Sequence, residues 1–231
     1  MTELSPQQRY ERNLQRPDFV RDPAQAAAVA ALQKVYDELR ANPPQRRFGL
    51  GPPKWTAVRG LYIWGGVGRG KTWLMDAFCE SLPAESCLRT HFHRFMLDVH
   101  ERRRKYPDER DPLKLVAAEY ARQLRVLCFD EFFVSDIADA MILGRLFENL
   151  FALGVTLIAT SNIPPERLYE NGLQRANFLP FIDVLKHHVA VLNVDGGVDY
   201  RLRALTHAEI YHYPSDERAD ANLERWFAEI A

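Results

Sequence analysis

Residues 65–72 read Gly65-Gly66-Val67-Gly68-Arg69-Gly70-Lys71-Thr72, the spacing GxxxxGK[ST]. Glycines at these positions let successive backbone N–H groups turn inward around phosphate oxygens. Lys71 is then placed to reach the β- and γ-phosphates, and the Thr72 hydroxyl to ligate Mg²⁺. A helix starting at Lys71 adds its positive N-terminal end to the same anion. With glycine at ~7% of average usage, four such positions match by chance in roughly one chain of this length in a hundred. The context counts separately: "LYIW" before the loop reads as an apolar strand and "WLMDAF" after it as an apolar-faced helix. The expected ATP-binding set is Gly65, Gly66, Val67, Gly68, Arg69, Gly70, Lys71, Thr72 and Trp73.

A second group lies downstream. "RVLCFDEFF" is an apolar run ending in Asp130-Glu131. At the C-terminal edge of a strand, Asp130 is placed to hold Mg²⁺ with Thr72, and Glu131 to polarise an attacking water. The next apolar run ends in "ATSN", so Asn162 emerges at the same sheet edge if the strands are neighbours, where its amide can position that water. Taken alone, Ser161-Asn162 before Pro164-Pro165 reads as turn chemistry.

These residues need a scaffold that brings strand ends together. From Gly60 onward, apolar strands at 61–64, 87–92, 125–130, 155–160 and 188–194 alternate with helical stretches at 71–82, 94–105, 113–124, 136–151 and 178–186. Such alternation gives a parallel sheet covered by helices on both faces, and doubly covered strands read as continuous apolar runs. The fold expected is α/β, a P-loop NTPase with five parallel strands in the order 5-1-4-3-2. Before it, Asp22-Pro23 is an N-cap followed by proline at the first helical position, with Val29, Leu32, Tyr36 and Leu39 at helical spacing. Residues 1–54 are expected to be a helical N-terminal extension and linker, 55–205 the core, and 206–231 the start of a C-terminal region. "SDERADANLERWFAEIA" reads there as a helix.

Composition narrows the function. The 231 residues carry 30 Lys+Arg against 31 Asp+Glu, so no global charge bias points to nucleic acid. No apolar run approaches the ~20 residues that span a bilayer, and "MTELSPQQRYERN" has no apolar core of a secretory signal. Three cysteines, Cys79, Cys87 and Cys128, without a CxxC pair, fit reduced thiols in a cytoplasm. There is no NKxD guanine-reading motif and no LSGGQ-like signature. The residues after the cradle are too few for a helicase's second core. A metabolite kinase seldom places Glu directly after the Mg²⁺ aspartate. What remains is a ring-forming AAA+ ATPase.

"GLYIWGGVGRGKTWLMDAF", "HFHRFMLDVH", "RVLCFDEFFVSDIADAMILGRLF", "TSNIPPERLYENGLQRANFLPFI" and "VDGGVDYRLR" together resemble the ZapE family, bacterial cell-division-associated ATPases with mitochondrial AFG-like relatives. The resemblance runs from about residue 20 to 205. It implies an AAA+ fold, Mg²⁺-dependent ATP hydrolysis and assembly into a ring. It also implies a cytoplasmic role at the division site, with FtsZ or another protein as client. In such rings an arginine completes the neighbouring subunit's site. Arg175, just before the helix that precedes the fifth strand, is the candidate finger, with Arg201 the runner-up. Family members usually continue past the region equivalent to Ala231, so the C-terminal region is expected to be incomplete.

Two other readings share these residues. A DNA-replication-type AAA+ loader uses the same core and predicts salt-dependent binding to single-stranded DNA. A nucleotide-gated binding module would hold ATP without needing Glu131. Among the remaining features, His91 and His93 at i, i+2 are expected on one face of a strand at the sheet edge. "ERRRKYPDER" reads as a solvated helix end, and Phe132-Phe133 as a pair buried against the next helix.

Overall fold

The computed structural model describes residues 4–16, 19, 21–44 and 55–195. Ser5 caps the first helix, α1 (Pro6–Asn13), through a capping box with Gln8. Asp22 caps α2 (Pro23–Ala41) by accepting from the Ala24 N–H at 2.7 Å. Then follow β1 (Gly60–Trp64), α3 (Lys71–Cys79), β2 (Cys87–His91), α4 (Phe92–Arg103) and α5 (Pro112–Gln123). β3 (Val126–Asp130), α6 (Ile137–Ala152), β4 (Thr156–Ser161), α7 (Arg175–His188) and β5 (Val189–Asn193) complete the described elements.

All strand pairs are parallel, in the order β2-β3-β4-β1-β5. This is the expected order read from the other end. β4 therefore lies between β1 and β3, and the C-terminal ends of all three open at one edge. β1 stops at Trp64, opposite Ser161 of β4, and β3 stops at Asp130, opposite His91 of β2.

Alternation along β3 divides the interior. Leu127 and Phe129 face a core rich in aromatic rings, built with α4, α5, α6 and α7. Val126 and Cys128 face a more aliphatic core. That second core is closed by the N-terminal helices, for Tyr10, Ala28, Val29, Leu32, Tyr36 and Leu39 are buried in it beside Leu74 and Phe78 of α3. Arg125 joins the same helices to the sheet. Its guanidinium donates to the carbonyls of Leu39 (2.7 Å) and Asn42 (2.5 Å) at the end of α2. The segment expected as an extension thus supplies one wall of the interior.

Boundaries differ from the sequence reading where a cap decides them. β2 ends at His91 and α4 begins at Phe92, so His93 lies on a helix and the two histidines do not share a strand face. α7 begins at Arg175, three residues before the expected start, after a left-handed Gln174. α1 was not anticipated, although Ser5-Pro6-Gln7-Gln8 carries its capping signature. Phe132 and Phe133 separate: the first is 0% exposed and the second 58%. The helix expected in 206–231, and Arg201, lie outside the described residues. Among those described, no helix is long and apolar enough to cross a membrane.

If α2 is a structural wall, Leu32→Ala should destabilise the whole protein by about 2–5 kcal/mol, the range for a buried leucine truncation. Denaturant unfolding should remain one transition at a lower midpoint. An unchanged midpoint would mean that α2 is dispensable.

Candidate nucleotide-binding site

Beyond Trp64 the chain turns through the glycine-rich loop into α3. Gly68 and Gly70 have φ of 79° and 75°, in the left-handed region that favours glycine. At Gly70 space adds to this constraint: a Cβ there would lie 2.3 Å from Gln25 Nε2 on α2. Gln25 also donates to the Arg69 carbonyl at 3.4 Å, so α2 buttresses the loop. No side chain caps α3, which leaves its first-turn N–H groups directed at the loop's concavity. Lys71 Nζ spans the loop, donating to the carbonyls of Gly65 and Gly66 at 2.6 Å each.

Asp130 ends β3 with its two oxygens in different situations. Oδ2 accepts from Arg89 Nε (2.8 Å) and Nη2 (2.7 Å). Oδ1 is buried with no hydrogen-bond partner. Arg89 also pairs with Asp76 on α3, which fixes its guanidinium between helix and strand. A buried carboxylate oxygen with no hydrogen-bond partner among the described residues, on a residue that lines a cavity with Thr72, is a fit donor for a divalent cation.

Glu131 follows with φ 53°, left-handed for a residue with a full side chain. Such a conformation costs roughly 1–2 kcal/mol and persists only where neighbours enforce it. Here the Glu131 N–H donates to Thr160 Oγ1 at 3.3 Å and the Phe132 N–H to the Thr160 carbonyl at 2.7 Å. Ser161 Oγ donates to the Phe132 carbonyl at 2.8 Å. On β1, Tyr62 donates its hydroxyl to the Ile163 carbonyl at 3.0 Å and steadies the turn that presents Asn162. Burial pushes the Tyr62 pKa far up, which keeps it a donor.

A cavity of about 390 Å³ collects these groups, with Lys71, Thr72, Asp130, Glu131 and Asn162 all on its wall. Val67, Gly68, Arg69, Gly70 and Trp73 line it too. A larger hollow of about 820 Å³ adjoins it, lined by His91, His93, Phe133 and again Glu131 and Asn162. Only the smaller one is lined by phosphate-loop residues, from Val67 to Thr72, and it is the candidate nucleotide site; Gly65 and Gly66 line neither hollow. Arg175 lines neither; it donates to the Glu166 carbonyl at 2.6 Å from the start of α7.

Two contributors escaped the sequence reading. Arg89 is a charged residue inside a strand, an anomaly that signals a buried partner. Asp195 accepts from the Gly66 N–H at 2.7 Å and lies 3.6 Å from Arg69 Nε. Its position just after β5 carries no local signal, because β5 becomes a neighbour of β1 only in the folded sheet.

A phosphate loop between β1 and α3, an acidic pair ending β3, and the 2-3-4-1-5 parallel order define a P-loop NTPase of the AAA+ type. Solved structures share this fold. DnaI superposes with a TM-score of 0.55 at 16% identity, covering 79% of this chain and 87% of DnaI. AMPPCP-bound DnaA from Aquifex aeolicus superposes with a TM-score of 0.51 at 15% identity, covering 81% of this chain and 52% of DnaA. The sequence profile of the AFG1-like ATPases matches residues 4–231, and the chain belongs to that family. The cell division protein ZapE of Escherichia coli K12 is 50% identical over 242 residues, covering 99% of this chain. Lactation elevated protein 1 homolog B of Danio rerio is 46% identical over 185 residues, 75% of this chain and 37% of that protein. The chain spans 64% of the length of the ZapE relative.

The left-handed backbone at Glu131 has a measurable consequence. Glu131→Gly should raise stability by up to ~1 kcal/mol, because glycine adopts this φ without strain while its own chain entropy offsets part of the gain. Chemical denaturation reads the effect directly. A loss of stability would show that the side chain contributes more than the backbone strain removes.

Proposed function

We propose that the chain binds ATP with Mg²⁺ and hydrolyses it, and that the cycle remodels a protein assembly. The observation that carries this reading is the single cavity shared by Lys71, Thr72, Asp130, Glu131 and Asn162. Residues from three separate segments line it, and their types are those that in-line phosphoryl transfer to water calls on. Loop N–H groups and Lys71 bind and orient the phosphates, and the uncapped start of α3 favours their charge. Thr72 and Asp130 would hold the cation, which when bound would neutralise charge on the phosphates. Arg89 engages Oδ2 of the Asp130 carboxylate and leaves Oδ1 for the cation. Glu131 accepts a proton from the attacking water while Asn162 orients it. Arg175 acts in a neighbouring copy of the chain within a ring, consistent with its place outside its own cavity.

The division protein ZapE, half identical over nearly this whole chain, supports a client in the bacterial division machinery. We take FtsZ polymers as that client and the cytoplasmic face of the division site as the place of action.

Steady-state turnover and nucleotide binding separate the roles. Lys71→Ala should lose nucleotide affinity, whereas Glu131→Gln should bind ATP and leave it unhydrolysed. Turnover per chain should rise with protein concentration, and Arg175→Ala should reduce it by about 10³-fold or more with binding nearly intact. Mixing Arg175→Ala with Glu131→Gln should restore part of the activity, since each supplies what the other lacks. Turnover that is flat with concentration and indifferent to Arg175 would remove the ring from this reading. Sedimentation of FtsZ polymers should show ATP-dependent loss with the wild-type chain and none with Glu131→Gln. Undiminished polymer in both would eliminate FtsZ as client without touching the hydrolysis.

A further inference from the structure

Three thiols meet on the side of the sheet that carries the phosphate loop. Cys79 ends α3, Cys87 opens β2 and Cys128 lies in the middle of β3. Cys87 Sγ is 3.7 Å from Cys79 Sγ and 3.6 Å from Cys128 Sγ, and all three sulfurs lie within 4.8 Å of one another. Buried cysteine often serves only as a small apolar residue. Packing alone gives no reason for three sulfurs from three elements to share one point in a core whose other members are mostly aliphatic, with a few rings and one methionine.

The separations suit a shared ion. Thiolates about 2.3 Å from a common metal stand roughly 3.8–4.0 Å apart in tetrahedral or trigonal arrangements, a few tenths of an ångström from the two spacings given. They do not suit a disulfide between the strands. Cys87 pairs in register with Val126 and Cys128 with Arg89, so the two cysteines are diagonal neighbours. Strand spacing and rise put their Cα atoms about 8 Å apart, beyond the ~7 Å at which a bridge forms without moving backbone.

We propose that Cys79, Cys87 and Cys128 form a three-sulfur binding site for a soft, thiophilic cation, copper(I). Soft thiolates select copper(I) and zinc among cellular metals, and zinc completes four ligands with nitrogen, sulfur or oxygen. No fourth histidine, cysteine or carboxylate joins the group among the described residues, which favours the ion content with three sulfurs. Cys79 and Cys87 are half-buried and give the ion an entry, while buried Cys128 closes the far side. Binding releases thiol protons to water and involves no electron transfer. The ion would tie α3 to β2 and β3 two residues from the Arg89–Asp130 pair. The proposal stands independently of ATP hydrolysis.

The test is anaerobic titration of the reduced full chain with copper(I) in competition with bathocuproine disulfonate, followed by the same titration with zinc(II). One copper(I) per chain is expected, held against the competitor and more tightly than zinc. Cys79→Ser and Cys87→Ser, both at half-buried positions, should each weaken binding by no less than the ~10–100-fold that losing a supporting partner costs. Circular dichroism and the melting midpoint confirm that both variants are folded. Failure to hold copper(I), full affinity retained in both folded variants, or preference for zinc would each overturn the proposal.

Discussion

The candidate site depends on the way the ends of β3 and β4 are stitched together. Parallel pairing brings both C-terminal ends to one edge, but pairing stops where the strands stop. Three hydrogen bonds continue the contact into the loops: Phe132 N–H to the Thr160 carbonyl, Glu131 N–H to Thr160 Oγ1, and Ser161 Oγ to the Phe132 carbonyl. They hold Glu131 in a backbone conformation it would otherwise leave, and they fix the spacing between Glu131 and Asn162. Thr160 and Ser161 are buried, so water does not compete for these bonds and breaking one would strand a polar group. The backbone positions from which the acid and the amide project are therefore fixed.

A stitched edge is useful only on a sheet that does not flex, and the two cores supply that stiffness differently. On one side, Phe92 packs edge to face on Phe132 at 4.7 Å and on Phe129 at 5.6 Å, and Phe147 packs tilted on Phe181 at 5.5 Å. On the other, aliphatic residues of β1, β3 and β4 are covered by α3 and then by α1 and α2. The second cover reaches the chemistry directly through Gln25, which touches the loop at Gly70. Stability and phosphate binding thus share residues near the N-terminus.

How much of this was legible depended on how local its cause is. The phosphate loop, Asp130-Glu131 and the five strands were readable because each is written in consecutive residues. The strand order was expected from the AAA+ fold that the motifs and the resemblance imply, and the sheet has it. What was missed arises across the chain. Arg89 matters only because β2 pairs with β3, and Asp195 only because β5 joins β1. The fate of Phe132 and Phe133 was set by the left-handed turn at Glu131, which sends one ring inward and the other to solvent. The three cysteines gave no sign of convergence because they lie on elements that meet only in the folded sheet. α1 is the exception, for its capping box between Ser5 and Gln8 is a local signal.

The aromatic block has one further consequence. Phe132, next to Glu131, touches Phe181 on α7, Phe181 touches Phe178, and α7 begins with Arg175. Close-packed rings transmit displacement rather than absorb it. The residue proposed to serve a chain's own nucleotide and the one proposed to serve its neighbour's therefore sit on one stiff lever. A shift of the backbone at Glu131 would therefore be felt at the start of α7.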